Sequence, residues 1–487
     1  MLNIRTKLLT VMALALTVSH FYAQNNTQET EAQRIERLTQ HQEDEKRRAA
    51  KWEKIAKIRE QEEKEQARKP QQNNKTEAKP VITEMQPDSL AYWSQLDILP
   101  FSKSEKGLRD WLSTPHPEYN MASWCFYGNI TTDEGEVVAI SSMVQQQLNM
   151  GGMPYLAEFS YCDDNGYKVV PFEVGTADVQ FKAPFSIRVT YKYIPDVFLE
   201  IKLLSGEMGQ AGAKYRLSGN VIDLKMNNLK YDLVLTDTYG VVQIGYGTSS
   251  FLPQWLTPSQ HHSIMANYKG SVPSYLNAGE DTMLGQGSYY YSMPLLKVES
   301  FSLHRKLDNE WVLYANGSKG NIWVDYVVQG FASQEKALLK NAQWQFLAIQ
   351  FPEQNASLMV SIVDVPTPIE NVTSGIFPMA RLYYGDQKAA NGSKQAYQEW
   401  AIGQIEFNPK KYWVDPTTGL KYPIEFDLNL RSPDGSQILL KGKSIRANQV
   451  IEEGVNKYEG VFAIQADIRV KSLNLQGAQG CAWAEIH

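Results

Sequence analysis

Residues 185–193 read FSIRVTYKY, and every second side chain is large and apolar or aromatic. Phe185, Ile187, Val189, Tyr191 and Tyr193 alternate with Ser186, Arg188, Thr190 and Lys192. A period of two places one set on a buried face and the other in water, which is the pattern of a strand. The same period runs through VFLEIKLL from Val197, IEFDLNLR from Ile424 and FAIQADIRV from Phe462. Between such runs stand the turn formers Asp133-Glu134-Gly135, Asp164-Asn165-Gly166, Asn316-Gly317 and Asp434-Gly435, as hairpins require. Helical periodicity is nearly absent after residue 110. Antiparallel strands without alternating helices predict a mainly β chain built as a sandwich or barrel. The 26 Tyr, 17 Phe and 11 Trp suit such sheets.

The strand-rich part exceeds what one core normally holds, so two β units are expected. The Pro- and Gly-rich residues 251–288 read as an irregular connector, and the boundary is set near residue 298. WCFYGN at Trp124 and WVLYAN at Trp311 share a faint similarity that suits duplicated units.

Before residue 85 the chain is different. Residues 1–23 carry Arg5 and Lys7, an apolar run from Leu8 to Val18, and Ala23 as a small residue before a cut. That order is a secretory signal peptide, too short to span a membrane, and implies a protein of the periplasm or the medium. Residues 24–84 form a charged helix and a flexible linker. Within residues 28–69, Glu43 with Arg47, Asp44 with Arg48, Glu53 with Lys57 and Glu60 with Lys64 pair at helical spacing. Ile35, Leu38, Trp52, Ile55 and Ile58 do not sustain a heptad. The reading is a solvated arm of up to roughly 63 Å, serving as a spacer or for partner binding and self-association, ended by Pro70.

A net charge of −6 excludes the basic footprint of a nucleic-acid binder. His261 and His262 are neighbours with no third ligand at metal spacing, so no metal is expected. Gly245-Tyr246-Gly247 is only a fragment of a dinucleotide fingerprint, and no cofactor is implied. No Gly-x-Ser-x-Gly elbow appears. Cys125, Cys162 and Cys481 permit one disulfide at most and read more simply as small buried strand residues. Asp415 to Gly419, DPTTG, reads as a tight turn.

One residue breaks the strand pattern. In GSKGNIWVDYVVQGF, residues 317–331, Asp325 stands among Ile322, Trp323, Val324, Tyr326, Val327 and Val328. A carboxylate buried there costs several kcal/mol unless paired, hydrogen-bonded or protonated. Three readings stay open: a catalytic acid, a carboxylate satisfied by backbone amides or a tyrosine hydroxyl that holds strands in register, or an exposed side chain. Because a strand alternates, Tyr290 or the pair Tyr289 and Tyr291, but not all three, can face one cavity.

SYYYSMP at 288–294, GNIWVDY at 320–326, WQFLAIQF at 344–351, YWVDPTTGLKYPIEFDL at 412–428 and KYEGVFAI at 457–464 together resemble the lipocalin-like family of AttH and hydroxyneurosporene synthase (carotenoid 1,2-hydratase), whose members are often labelled predicted secreted hydrolases. The resemblance implies two lipocalin-like antiparallel β-barrels in tandem, residues 85–298 and 299–487, behind the charged helical arm. It places Asp325 on the family's Trp-x-Asp, Glu459 and Gly460 on its Glu-Gly, and Glu485 on a late Glu, so that Asp325, Glu459 and Glu485 are the catalytic candidates. Trp323, Tyr326, Tyr289, Tyr290, Tyr291, Trp344 and Trp413 are the implied ligand contacts. In hydratase relatives such an acid is thought to protonate an isolated alkene, and aromatic faces can stabilise the cation. Where the family has His after the Asp, this chain has Tyr326, which removes an expected orienting partner.

Three functions follow as expectations: an exported carrier of a small apolar ligand such as an isoprenoid, a hydratase, cyclase or isomerase acting on that ligand, or a surface scaffold in which the barrels are inert.

Overall fold

The structure, a computed structural model, describes residue 99 and residues 101–486, except 117–118, 120, 148–154, 165, 176–177, 192–193, 195, 223–227, 246–287, 330–342, 365–375, 390, 401–403 and 452–456. The expected signal peptide, the expected charged arm with its linker, His261 and His262, and nearly all of the expected 251–288 connector lie outside the described residues.

The fold is mainly β, in two curled antiparallel sheets. The first is built from β1 (Met121–Thr131), β2 (Val137–Gln147), β3 (Tyr155–Asp163), β4 (Gly166–Val174), β5 (Val179–Lys182), β6 (Ser186–Thr190), β7 (Phe198–Ser205), β8 (Lys214–Ile222), β9 (Asn228–Asp237), β10 (Val242–Ile244), β11 (Ser288–Leu307), β12 (Glu310–Gly317) and β13 (Lys319–Gln329). Its order is β4-β3-β2-β1-β13-β11-β9-β8-β7-β6-β5, with β10 and β12 also on β11. The second holds β14 (Gln343–Phe351), β15 (Ala356–Asp364), β16 (Ile376–Tyr383), β17 (Gln398–Trp400), β18 (Ile405–Val414), β19 (Lys421–Arg431), β20 (Gln437–Ser444), β21 (Val450–Ile451), β22 (Lys457–Val470) and β23 (Leu473–Ile486). Its order is β17-β16-β15-β14-β23-β22-β20-β19-β18, with β21 on β22.

The two sheets repeat one plan. In each, a four-strand meander begins with the first strand, and that strand also pairs with the last, β1 with β13 and β14 with β23. The repeat therefore matches β1 to β14. The Trp124 and Trp311 segments are not equivalent, since Trp311 lies on β12 of the same sheet as Trp124. Residue 298 falls inside the continuous strand β11, and the chain passes to the second sheet only after Gln329. Asp325 accordingly belongs to the first sheet.

Local chemistry explains the elements. Strand β8 alternates exposed and buried along KYRLSGNVI, and β9 does likewise along NLKYDLVLTD. Gly135, Gly166 and Gly435 take φ of 87°, 88° and 85° in hairpin turns, a region open to glycine at little cost. One helix that the period-two reading passes over, α1 (Glu105–Leu112), is capped by the Ser104 hydroxyl and buries Leu108, Trp111 and Leu112.

Three apolar clusters result. The concave side of the first sheet is occupied by its own side chains, among them Trp124, Phe126, Tyr215 and Tyr326, with Phe159 and Tyr231 stacked at 3.9 Å. The second sheet encloses a separate cluster around Leu428, Phe426, Phe462 and Trp400. A third takes Tyr127, Tyr290 and Trp323 from the first sheet and Phe346, Tyr383, Val461 and Trp483 from the second. It is the seam between them.

Candidate functional site: a four-donor carboxylate in the seam

The pleat of β13 decides where its acid goes. Ile322, Val324, Tyr326 and Val328 face the first sheet's own core, so Trp323 and Asp325 face the seam. Asp325 lies opposite Cys125 on β1 and Ser292 on β11. Two steps along those strands on the same face come Tyr127 and Tyr290. Register alone brings four donors to one carboxyl group.

All four donate. The Tyr290 hydroxyl reaches Oδ2 at 2.8 Å, the Ser292 hydroxyl reaches Oδ1 at 2.6 Å and the Trp323 indole N–H reaches Oδ1 at 2.7 Å. The Tyr127 hydroxyl donates to Oδ2 beside Tyr290. Asp325 is buried, with only 8% of its surface exposed. Loss of water lifts its pKa above the ordinary carboxyl value, against the pull of the bonds from Ser292, Tyr127, Trp323 and Tyr290. Burial also pushes the Tyr127 and Tyr290 phenols well above their ordinary value, and the nearby Asp325 charge adds to it.

The second sheet supplies the facing wall. Trp483 lies against Tyr127 with ring centroids 5.4 Å apart, and Phe346 meets Trp323 edge-on at 6.4 Å. On β16, Met379 and Tyr383 belong to the seam, and Arg381 between them shares their face. Arg381 is 1% exposed and its Nε donates to Glu399 Oε2 at 2.6 Å. Burial raises the pKa of the Tyr383 phenol, the adjacent Arg381 guanidinium opposes that rise, and the charges of Glu399 and Asp325 add to it.

The remaining candidates separate. Glu459 and Glu485 face one another across β22 and β23. Glu459 is buried in an ion pair with Lys457, and Glu485 is near enough for its charge to act on Tyr127 and Tyr290. Burial opposes the Lys457 ammonium, yet the charges of Glu459 and Glu485 raise its pKa above the usual lysine value. Tyr289, Tyr291 and Tyr326 turn into the first sheet's core, where Tyr326 packs against Trp111 and Trp124, each at 5.3 Å. They are not at the Asp325 carboxyl. Trp413 packs against the second sheet's core, with its ring 6.3 Å from Tyr422, also away from the acid. The side chain of Trp344 lies outside the described residues.

Tyr326 also corrects the expectation of a lost partner. The residue after Asp325 points to the opposite face, so Asp325 is oriented by Tyr127, Tyr290, Ser292 and Trp323 instead. Sequence reading missed Tyr127, Ser292, Arg381, Tyr383 and Trp483. The available signal for Ser292 was its place two residues after Tyr290; for Tyr127 it was a tyrosine in an apolar strand. The three cysteines form no disulfide, and burial pushes the Cys481 thiol up to about 12. Asp415 makes the expected turn, accepting from Thr417 N at 2.9 Å.

No family model matches this chain, and no curated protein does. Solved structures do. A protein assigned as an AttH from Nitrosomonas europaea aligns with TM-score 0.47 and 15% identity, over 77% of this chain and 94% of that one. Kievitone hydratase from Nectria haematococca aligns at TM-score 0.44 and 15% identity, over 80% and 94%. CghA bound to Sch210972 aligns at TM-score 0.44 and 9% identity, over 76% and 88%. AttH, the family name raised by the motif resemblance, is thus among the structural neighbours.

Proposed function

We propose that this protein takes an unsaturated, largely apolar ligand into the seam between its sheets and that Asp325 is the acid that protonates it. The observation that carries the reading is the Asp325 carboxyl itself, dry, raised in pKa and shared by two phenols on one oxygen. An acid strong enough for an alkene must stay protonated until the substrate arrives, and a water-poor aromatic setting favours that form. Three of its four partners are hydroxyls, which rotate from donor to acceptor when the carboxyl gains a proton; the Trp323 N–H cannot. Trp323, Tyr127 and Trp483 offer π faces to a developing cation. In a hydration, one alkene carbon takes the Asp325 proton, the other takes the oxygen of water, and that water returns a proton to the carboxylate.

The named activity of kievitone hydratase agrees in kind with this chemistry. The leader-like residues 1–23 support export in the same reading, and the charged residues 28–69 support a partner-binding arm. The test is incubation with farnesene in D2O followed by mass spectrometry. Deuterium entering carbon positions in the wild type but not in Asp325→Asn is expected. Equal labelling in both removes Asp325 as the acid.

A second reading has its own observation. All four donors come from β1, β11 and β13, which are adjacent in one sheet. The carboxylate then acts as a clamp on three strands. Under that reading Asp325→Asn lowers stability and farnesene is unlabelled by either protein.

A further inference from the structure

Among the described residues the seam leaves several buried hydrogen-bond donors without an acceptor. Arg381 uses Nε on Glu399, and its buried Nη1 and Nη2 meet no acceptor within hydrogen-bonding geometry, though the guanidinium also interacts with the Tyr383 phenol. The Tyr239 hydroxyl and the Trp483 indole N–H, in the same cluster, are likewise buried and unpartnered, and the Tyr383 hydroxyl beside Arg381 has its proton free to donate. The Asp325 oxygens cannot serve them, having already accepted four bonds. A guanidinium with two orphaned nitrogens in a dry interior is expensive, and such groups are found satisfied in folded proteins. What satisfies this set must bring acceptor oxygens and need not bring donors.

Arg381 presents a particular edge. With Nε taken, the remaining Nη1 and Nη2 form the end-on fork that takes both oxygens of a carboxylate at once. The carboxylate of Glu399 is 22% exposed, so solvent screens part of its charge and leaves the guanidinium a net cation toward the seam. Tyr383, on the same strand and face, can add a third donor to that group.

Resting on the reading of the seam as a ligand site, we propose that Arg381 and Tyr383 anchor an acidic head group, so that the ligand is an apolar unsaturated carboxylic acid held with its chain toward Asp325. Head recognition at β16 and proton delivery at β13 would then fix which double bond meets the acid, because the two groups stand on opposite walls.

The experiment compares farnesoic acid with farnesene, which has the same kind of chain and no head group, by quenching of tryptophan fluorescence from Trp323 and Trp483. The wild type is expected to bind the acid at least about tenfold more tightly, the least that a bidentate charged pair contributes. Because a lone Glu399 left in place of its pair invites misfolding, the variant is the double substitution Arg381→Met with Glu399→Met, which replaces the ion pair by apolar groups of similar size. It is expected to bind both compounds with the affinity that the wild type shows for farnesene. Equal affinities in the wild type overturn the anchor and leave the seam reading standing, as does a preference for the acid that survives the double substitution. Binding of neither compound overturns the seam reading as well.

Discussion

Tyr127 and Asp325 are 198 positions apart in the chain, yet the β1–β13 pairing seats the phenol of one on the carboxyl oxygen of the other. The contact is a product of long-range strand pairing, since the first strand of the sheet in chain order lies beside the last. Tyr290 shares the same oxygen from the other flank. An acid in this position is held by both neighbouring strands, and any change in the pairing of β1, β13 and β11 reaches it directly.

Removing the carboxyl isolates four buried donors. Asp325→Leu leaves the Trp323 N–H and three hydroxyls without their acceptor, and a buried unsatisfied group costs about 1–3 kcal/mol. The expected loss is roughly 3 kcal/mol or more in urea unfolding. Asp325→Asn keeps Oδ1 for Ser292 and Trp323, and its NH2 can donate to rotated phenol oxygens. It should lose about 1 kcal/mol. Equal losses for Leu and Asn would remove the case for a hydrogen-bonded acceptor here.

A second buried acid carries a pH dependence. Asp237 is fully buried, and burial raises its pKa to about 7, while bonds from the Gly240 and Tyr239 amides pull the other way. Its folded pKa lies above its unfolded one. The folded chain therefore holds a proton that the unfolded chain has lost, and stability present in acid is lost as pH rises from about 4 to 7. Asp237→Asn keeps the oxygen that accepts both amides and removes the charge. Its stability relative to the wild type should grow across that window by up to a few kcal/mol, read from unfolding at several pH values. A constant difference between the two proteins would show that Asp237 does not titrate there.

The Glu-Gly pair at Glu459 and Gly460 has a packing reason. A Cβ on Gly460 would stand 2.3 Å from the Gln449 side chain. Gln449 is fully buried, and its amide bonds to Val461 N at 3.0 Å and Val461 O at 3.2 Å. Gly460→Ala must push that amide off its partners, which costs about 2–4 kcal/mol through overpacking and lost hydrogen bonds. A thermal melt within a degree of the wild type would contradict this.

The period-two strands and their glycine turns were legible because each is written in a few neighbouring residues. The seam was not. Strand β1 is buried on both faces, so its alternation says which residues share a face but not which face meets the second sheet. Arg381 looks like a solvent-side residue of β16 until the other sheet covers it. The boundary near residue 298 went astray for a similar reason, since the Pro- and Gly-rich connector marks a break in local pattern, while β11 beyond it returns to pair with β9. Long-range pairing decides both, and no short window of sequence records it. Asp325 was visible because burying a charge is costly anywhere, so an acid in an apolar strand signals itself before the fold is known.

The two phenols supply a direct reading of the acid's protonation. Each hydroxyl that donates to Asp325 favours its ionised form, so the bonds from Tyr127 and Tyr290 lower a pKa that burial raises. Replacing both by Phe removes those bonds while keeping the rings that pack in the seam, including Tyr127 against Trp483. The carboxyl should then stay protonated to higher pH than in the wild type, by about one pH unit or more for two lost charged hydrogen bonds. Infrared difference spectra across pH, with Asp325→Asn marking the band of this one carboxyl, measure it. By linkage a folded pKa raised further deepens the loss of stability on the alkaline side, so the double variant should also unfold more readily as pH rises while matching the wild type more closely in acid. A carboxyl band that titrates at the same pH in both proteins would mean that the phenols do not hold the Asp325 proton in check, and the seam would lose its means of keeping the acid poised.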